Sequence, residues 1–83
     1  QKAYALKRWG GIELRQKRYA EGVRLYEEAL RVEERLKVDG MDMSYTLSDL
    51  GLGYRKLKRF PKALASYERA RQMREAAYRD DPN

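Results

Sequence analysis

Two stretches of the sequence decide the fold: Tyr19–Leu30 reads YAEGVRLYEEAL, and Phe60–Arg71 reads FPKALASYERAR. Each stretch begins with an aromatic residue, has a small residue three positions later, and continues with Tyr-Glu and then Ala. Gly22 corresponds to Ala63, an offset of 41 residues (63 − 22), and the two Tyr-Glu pairs share this offset. An internal repeat of this length in a helical pattern predicts stacked helical hairpins.

The composition narrows the possible functions. The chain has 83 residues, a net charge of +6, and neither cysteine nor histidine. Its length allows one small domain. The missing cysteines exclude disulfides and thiolate metal sites, and histidine is the commonest metal ligand and general base. We therefore expect no enzyme activity, no metal site and no cofactor, and the positive charge favours an acidic partner.

The sequence also predicts where the protein works. It contains no apolar run long enough to span a membrane, and no signal peptide is recognisable in it. We therefore expect a cytoplasmic protein that does not bind membranes.

Apolar residues recur at steps of three and four, which predicts helices over about 2–16, 20–37, 41–57 and 61–78. No run alternates with period two, so no strand is expected. Gly40 is expected to cap the second helix in the left-handed conformation, and Asp42 or Ser44 to cap the third. The residues expected to be buried are Ala5, Leu6, Trp9 and Ile12 in the first helix; Val23, Tyr26, Ala29, Leu30 and Leu36 in the second; Leu47, Leu50, Gly51, Tyr54 and Leu57 in the third; and Ala63, Leu64, Tyr67, Ala70 and Met73 in the fourth.

The second copy of the repeat reads Leu47-x-x-Leu50-Gly51-x-x-Tyr54, followed by Ala63-x-x-x-Tyr67-x-x-Ala70. This pattern resembles the tetratricopeptide repeat, and the long period resembles the variety found in kinesin light chains. The first copy matches except at Glu13, where the family usually has Tyr. Arg8 and Asp49 stand where the kinesin variety often has Asn, so we do not expect its Asn-based peptide contacts.

The resemblance implies an all-α fold made of two tandem helix-turn-helix repeats. The four antiparallel helices would form a fragment of a right-handed α-solenoid. A single domain is expected over residues 1–83, with repeat one at about 3–40 and repeat two at about 44–81. A plain four-helix bundle with a coincidental repetition is the alternative.

Repeats of this family typically bind peptides in a concave groove lined by the first helix of each hairpin. The resemblance therefore implies a protein-binding scaffold, and in this sequence a basic groove that would take an acidic segment. Ordinary solvated helix surface is the alternative interpretation of these side chains. Because Gly11 and Leu52 stand where the family's carboxylate-binding Asn is found, that clamp is not expected. The expected groove residues are Tyr4, Lys7, Gly11, Leu14 and Arg15 in the first helix and Tyr45, Ser48, Leu52, Arg55 and Lys56 in the third.

Two other functions stay open. A pair of repeats cannot bury its end faces, so the chain is expected either to be a piece of a longer array or to associate with another copy or a partner. Such a homo-oligomer would cover Leu64, Met73 and Ala77. The Lys-Arg pairs before Tyr19 and Phe60 suggest nucleic-acid binding instead. That partner is less favoured, because the resemblance places both aromatic residues between helices, where they cannot stack on bases.

Overall fold

The computed structural model describes residues 2–80, which form four α-helices joined by short turns. No strand occurs within these residues, and each helix packs on the next one along the chain. The predicted all-α fold of two tandem hairpins is therefore confirmed; the predicted limits at residues 1, 81 and 83 lie outside the described range. The helices are α1 (Lys2–Arg15), α2 (Tyr19–Leu36), α3 (Gly40–Lys56) and α4 (Phe60–Asp80).

The apolar core lies on both sides of α2. One cluster joins α1 to α2, and the other joins α2 to α3 and α4. Burying each of the larger aliphatic side chains stabilises the fold by about 1.5–3 kcal/mol. Because α2 contributes to both clusters, it holds the two hairpins together. The first cluster contains Ala3, Leu6, Leu25 and Ala29, and the second contains Val23, Tyr26, Leu50, Tyr54 and Ala63.

Within each hairpin a glycine of the first helix packs against a tyrosine ring of the second. A Cβ atom built on Gly10 would lie 3.0 Å from Cδ2 of Tyr26, and one on Gly51 would lie 2.8 Å from Cε1 of Tyr67. Glycine costs about 1 kcal/mol in a helix interior, so these positions need a compensating contact. The tyrosine rings provide it, because they fill the space that a side chain would occupy.

The two hairpins meet where α2 approaches the backbone of α3. A Cβ atom built on Gly53 would lie 2.5 Å from Cγ2 of Val23. Val23 is 3% exposed, and its β-branched side chain has little freedom to move away. The close approach of the two hairpins therefore requires a residue without a side chain at position 53.

The first three helices are each followed by a lysine in the left-handed conformation, a position where glycine is more common. Lys17, Lys37 and Lys58 each have a positive φ, of 65°, 53° and 61°. The next amide donates backward as in the Schellman motif, for example from Arg18 to the Glu13 carbonyl at 2.8 Å. The expected cap at Gly40 is wrong, because Lys37 takes the left-handed conformation and Gly40 is the first residue of α3. The expected caps at Asp42 or Ser44 are also wrong, since the Asp39 side chain accepts from the Met41 amide at 2.7 Å.

Several residues expected in the core are exposed, because helical periodicity does not show which faces have a neighbour. On α1, Trp9 is 53% and Ile12 is 42% exposed. On α4, Phe60 is 58% and Leu64 is 70% exposed. These helices lie on the outside of the described part of the chain, so their outer faces meet no further helix. Three more residues that were expected in the core are exposed: Ala5, Leu36 and Tyr67. Three others are half-buried: Leu30, Leu57 and Met73.

Replacing Lys17 or Lys58 with Gly should raise the free energy of unfolding by about 0.5–1 kcal/mol. The left-handed conformation costs a residue with a Cβ roughly 1–2 kcal/mol, and the greater freedom of Gly in the unfolded chain cancels part of this gain. Urea unfolding followed by circular dichroism measures the change. Arg31→Gly, at an exposed position inside α2, is the control and should lower stability by about 0.5–1 kcal/mol. A loss of stability in all three variants would contradict the left-handed assignment.

Gly53→Ala should lower the free energy of unfolding by about 1–3 kcal/mol, although Ala is the better helix former. The added methyl group would collide with Val23 at the junction of the hairpins. Gly40→Ala is the matched control, because its Cβ would only meet the Met73 carbonyl oxygen at 3.9 Å. Equal stability of the two variants in urea would show that the hairpins do not meet at Gly53.

Candidate functional site

One side of α1 borders an open cavity of about 350 Å³. Four of the residues expected in a groove lie together there: Tyr4, Lys7, Gly11 and Arg15. The remaining lining comes from Arg8, Ile12 and Tyr26. The Tyr26 ring reaches the cavity from α2, because its hydroxyl lies only 3.3 Å from where a Cβ on Gly11 would be.

Two exposed tyrosines, one repeat apart, each have an arginine side chain over the ring. Tyr4 is 57% exposed, and the Arg8 guanidinium lies 5.7 Å from its ring centre. Tyr45 is 55% exposed, and the Arg74 guanidinium lies 5.8 Å from its ring centre. Such cation–π contacts contribute about 0.5–1 kcal/mol at exposed sites and hold the rings in place. The two rings therefore present flat apolar surface bordered by positive charge.

A polar bond ties the two helices of each hairpin at equivalent positions. Lys7 Nζ donates to Glu33 Oε2 at 2.9 Å, and Arg74 Nη2 donates to Ser48 Oγ at 2.6 Å. The residues correspond through the offset of 41 (48 − 7 and 74 − 33). Because Glu33 is 2% exposed and pairs with Lys7, the charge of Lys7 is largely neutralised inside the protein. Sequence reasoning missed Arg74, since it reaches Ser48 from the second helix of its hairpin.

Asp49 adds an acidic group near Lys7 and Tyr26, and it was not among the groove residues expected from the sequence. Burial raises the pKa of the Asp49 carboxyl, and the nearby Tyr26 hydroxyl and Lys7 oppose the change. Burial, together with the adjacent Asp49 carboxylate, raises the pKa of Tyr26 to about 12. The Tyr26 phenol therefore stays protonated and can donate toward Asp49. These three side chains link α1, α2 and α3 at the middle of the surface.

The cations at the C-terminal ends of α1 and α3 are unpaired in the described part of the chain. Arg15, Arg55 and Lys56 are exposed, and none of them forms an ion pair with another residue in the range 2–80. Arg15 ends α1 and Arg55 lies in the last turn of α3, where a cation also interacts favourably with the helix dipole. Leu52 is half-buried between these cations and Asp49 in the sequence.

Leu14 was expected in the groove, and this assignment is wrong. Its side chain is half-buried and packs against the core cluster that joins the hairpins. A Cβ atom built on Gly22 would lie 2.7 Å from Cδ2 of Leu14. Leu14 follows Glu13 on the side of α1 that turns toward α2, so it belongs to the core.

A second cavity, of about 380 Å³, lies between α2 and α4. Its lining includes Leu47, Leu50 and Tyr54 of α3, together with polar residues of α2 and α4. The Tyr54 hydroxyl donates to Glu27 Oε2, and burial with this contact raises the pKa of Tyr54 to about 12. Arg69 Nη2 pairs with Glu34 Oε2 at 2.8 Å. These two bonds join the hairpins, so this cavity is part of their junction.

The arrangement defines a class of protein, a helical-hairpin repeat module with an accessible surface along the first helix of each hairpin. A family model described as tetratricopeptide repeat matches residues 1–76. The chain therefore belongs to the tetratricopeptide repeat family, and the match is consistent with the longer-period variety. Members of this family are non-catalytic modules that generally mediate protein–protein interaction. No curated protein and no solved structure matches the chain significantly.

Residues 2–80 contain neither a membrane-spanning helix nor a metal-binding cluster. None of the described helices combines the length and the apolar character needed to cross a membrane. Nor does this range contain three or more acidic, His or Cys side chains grouped so that they could hold a metal ion.

Asp49→Asn should stabilise the protein at pH 7, and the gain should shrink as the pH falls. Because the folded-state pKa of Asp49 is raised, the protonated carboxyl favours folding below the usual Asp value of about 3.9. That contribution is lost as the pH rises through the folded-state pKa. Urea unfolding at pH 7 and at about pH 3.5 measures both parts of the prediction.

Asp42→Asn is the control, because Asp42 is exposed in the first turn of α3, where a negative charge interacts favourably with the helix dipole. It should lose a few tenths of a kcal/mol at pH 7. If Asp49→Asn destabilises the protein at pH 7 as well, the carboxylate is stabilising and the burial argument is wrong.

Proposed function

We propose that this protein captures an acidic segment of another protein along the surface formed by α1 and α3. We call this surface the groove and define it by Tyr4, Lys7 and Arg15 of α1 and by Tyr45, Ser48, Leu52, Arg55 and Lys56 of α3. The proposal rests on the family's general role and on the unpaired cations of the groove. The role of the module is that of a scaffold, since binding requires no chemistry from its side chains.

The distribution of charge along the groove indicates where a carboxylate of the segment binds. No acidic residue occurs between Asp49 and Glu68, whereas five cations lie in the range 55–62. At the other end, Lys7 is paired with Glu33 and lies near Asp49. An incoming carboxylate therefore gains most beside Arg15, Arg55 and Lys56, at the ends of α1 and α3. Arginine can hold such a group through two parallel hydrogen bonds.

The tyrosines support contact with side chains of the segment. Tyr4 and Tyr45 are more than half exposed, and the adjacent Arg8 and Arg74 limit their rotation. Tyr and Arg are enriched among residues that dominate binding energies, because they offer large contact area at a low cost in conformational entropy. We expect the middle of the segment to lie across these rings.

Reversing both Arg55 and Lys56 to Glu should weaken binding of an acidic peptide at least about tenfold, which corresponds to roughly 1.4 kcal/mol. Two exposed attractions of up to about 1 kcal/mol each would be lost and replaced by repulsion. A fluorescently labelled oligo-glutamate peptide serves as the probe, and anisotropy at low ionic strength measures the affinity.

Arg35→Glu with Lys37→Glu provides the control, because both residues are exposed, change the net charge equally and lie at the other end of the hairpins. This pair should weaken binding much less. Equal weakening by the two double variants would mean that the peptide senses only net charge. Unchanged binding in Arg55→Glu/Lys56→Glu would contradict the groove assignment.

A second candidate function is binding of single-stranded nucleic acid. Phe60 was expected between helices, but it is 58% exposed, and Arg59 and Lys62 are close to it in the sequence, so a base could stack on it beside a cation. Tyr19, its equivalent, is only half-buried. In the anisotropy experiment an unlabelled oligonucleotide distinguishes the two, since displacement of the peptide with a steep salt dependence favours this second function.

A further inference from the structure

The outer faces of α1 and α4 differ greatly in exposure from their repeat equivalents at the junction of the hairpins. Leu64 is 70% exposed, whereas Val23 at the same repeat position is 3% exposed. Trp9 is 53% exposed, whereas its equivalent Leu50 is 2% exposed. The inner members of these pairs are covered because α2 and α3 pack on each other. The junction thus provides a template for what would cover the outer faces.

Two side-chain bonds and one close approach define this template. Tyr54 donates to Glu27, and Arg69 pairs with Glu34 at 2.8 Å. Gly53 lets the Val23 side chain approach its backbone. A partner that stacks on α4 as α3 and α4 stack on α2 would meet the equivalents of these acceptors. They are Glu68 for Glu27 (27 + 41), Glu75 for Glu34 (34 + 41) and Leu64 for Val23 (23 + 41).

A second copy of this chain cannot supply the matching groups. In a head-to-tail stack, Glu13 stands in the place of Tyr54 and would face Glu68 of the neighbouring copy. Glu28 stands in the place of Arg69 (69 − 41) and would face Glu75. Both bonds of the template would be replaced by pairs of carboxylates, which repel each other.

These carboxylates already have partners in their own copy. Glu13 pairs with Arg18 at 2.7 Å, and Arg71 bridges Glu68 and Glu75 at 2.8 Å each. Stacking of copies would therefore form no new ion pair at these positions and would remove charged groups from water, which is costly.

The size of the facing residues also opposes stacking of copies. Ile12 stands in the place of Gly53 (53 − 41), and Leu64 stands in the place of Val23. At the junction, a single Cβ atom at position 53 would already lie 2.5 Å from Val23. Two larger side chains cannot occupy the same space, so the helices of two copies cannot approach as closely.

We propose that the outer face of α4 docks a helical hairpin of a different sequence from this chain. This hairpin places a small residue opposite Leu64, a hydrogen-bond donor opposite Glu68 and a cation opposite Glu75. The same carboxylates keep copies of the chain from stacking on one another. This face is separate from the groove, so docking on it does not depend on the acidic segment proposed above.

The test transplants the residues of the template into the first hairpin. The variant Ile12→Gly/Glu13→Tyr/Glu28→Arg carries the groups that α3 and α4 present to α2, so it acts as the probe for the outer face of α4. Light scattering over a dilution series at low ionic strength should give the monomer mass of 9.8 kDa for the natural sequence. The variant should show masses that rise with concentration to the dimer and beyond, since head-to-tail contacts do not close. We expect about a tenfold gain in association for each restored bond.

Adding Glu68→Lys/Glu75→Lys to this variant is the control and should return it to a monomer, because the acceptors on α4 are gone. Circular dichroism checks the fold, and Tyr54 shows that the fold accepts a tyrosine at the repeat position of Glu13. If the triple variant does not fold, Leu64→Ala/Glu68→Lys/Glu75→Lys in the natural chain replaces it, because the shorter side chain at position 64 leaves room for Ile12 of the neighbouring copy. All three positions are exposed, and the new cations would face Glu13 and Glu28, so association at low salt is expected. A folded variant that stays monomeric, or a natural chain that assembles as strongly as the variants, would overturn the proposal.

Discussion

The contact between Val23 and the backbone at Gly53 is the constraint on which the arrangement of the molecule depends. With 2.5 Å between Cγ2 of Val23 and a would-be Cβ, only glycine allows α2 and α3 to pack at this distance. The other contacts between the hairpins occur around this close approach. It brings Tyr54 to Glu27 and places Asp49 beside Tyr26. A Cβ atom on Gly53 of α3 would also lie 3.6 Å from Cδ2 of Leu14 on α1, so the first helices of the two hairpins come close enough to form the proposed groove.

The repeat allowed much of the fold to be predicted, because its information is local and occurs twice. The number of helices and their order followed from the spacing of the apolar residues. The exposure of Trp9 and Phe60 could not be predicted in the same way. Periodicity identifies an apolar stripe, but only the next helix decides whether that stripe is covered. The left-handed conformation of Lys37 was not predicted, because this conformation is usually taken by glycine and lysine has no preference for it.

For the candidate site too, spacing within one helix could be read from the sequence, whereas contacts between helices could not. Tyr4, Lys7 and Arg15 could be placed on one face, because residues three or four apart on a helix share a face. Leu14 has similar spacing but turns toward the core, and a difference of one position in register cannot be read from a short helix. Asp49 and Arg74 reach the surface through contacts between helices, which no spacing within one helix reveals. The groove is consequently less uniformly basic than expected.

We propose that an acidic segment binds to a preformed surface along α1 and α3. Titration of the ¹⁵N-labelled protein with an oligo-glutamate peptide, followed by amide chemical shifts, tests this claim most directly. We expect the largest shifts at Arg15, Arg55 and Lys56, with smaller ones near Tyr4 and Tyr45, and few along α2. Shifts confined to the outer face of α4, or spread evenly over every exposed cation, would contradict it.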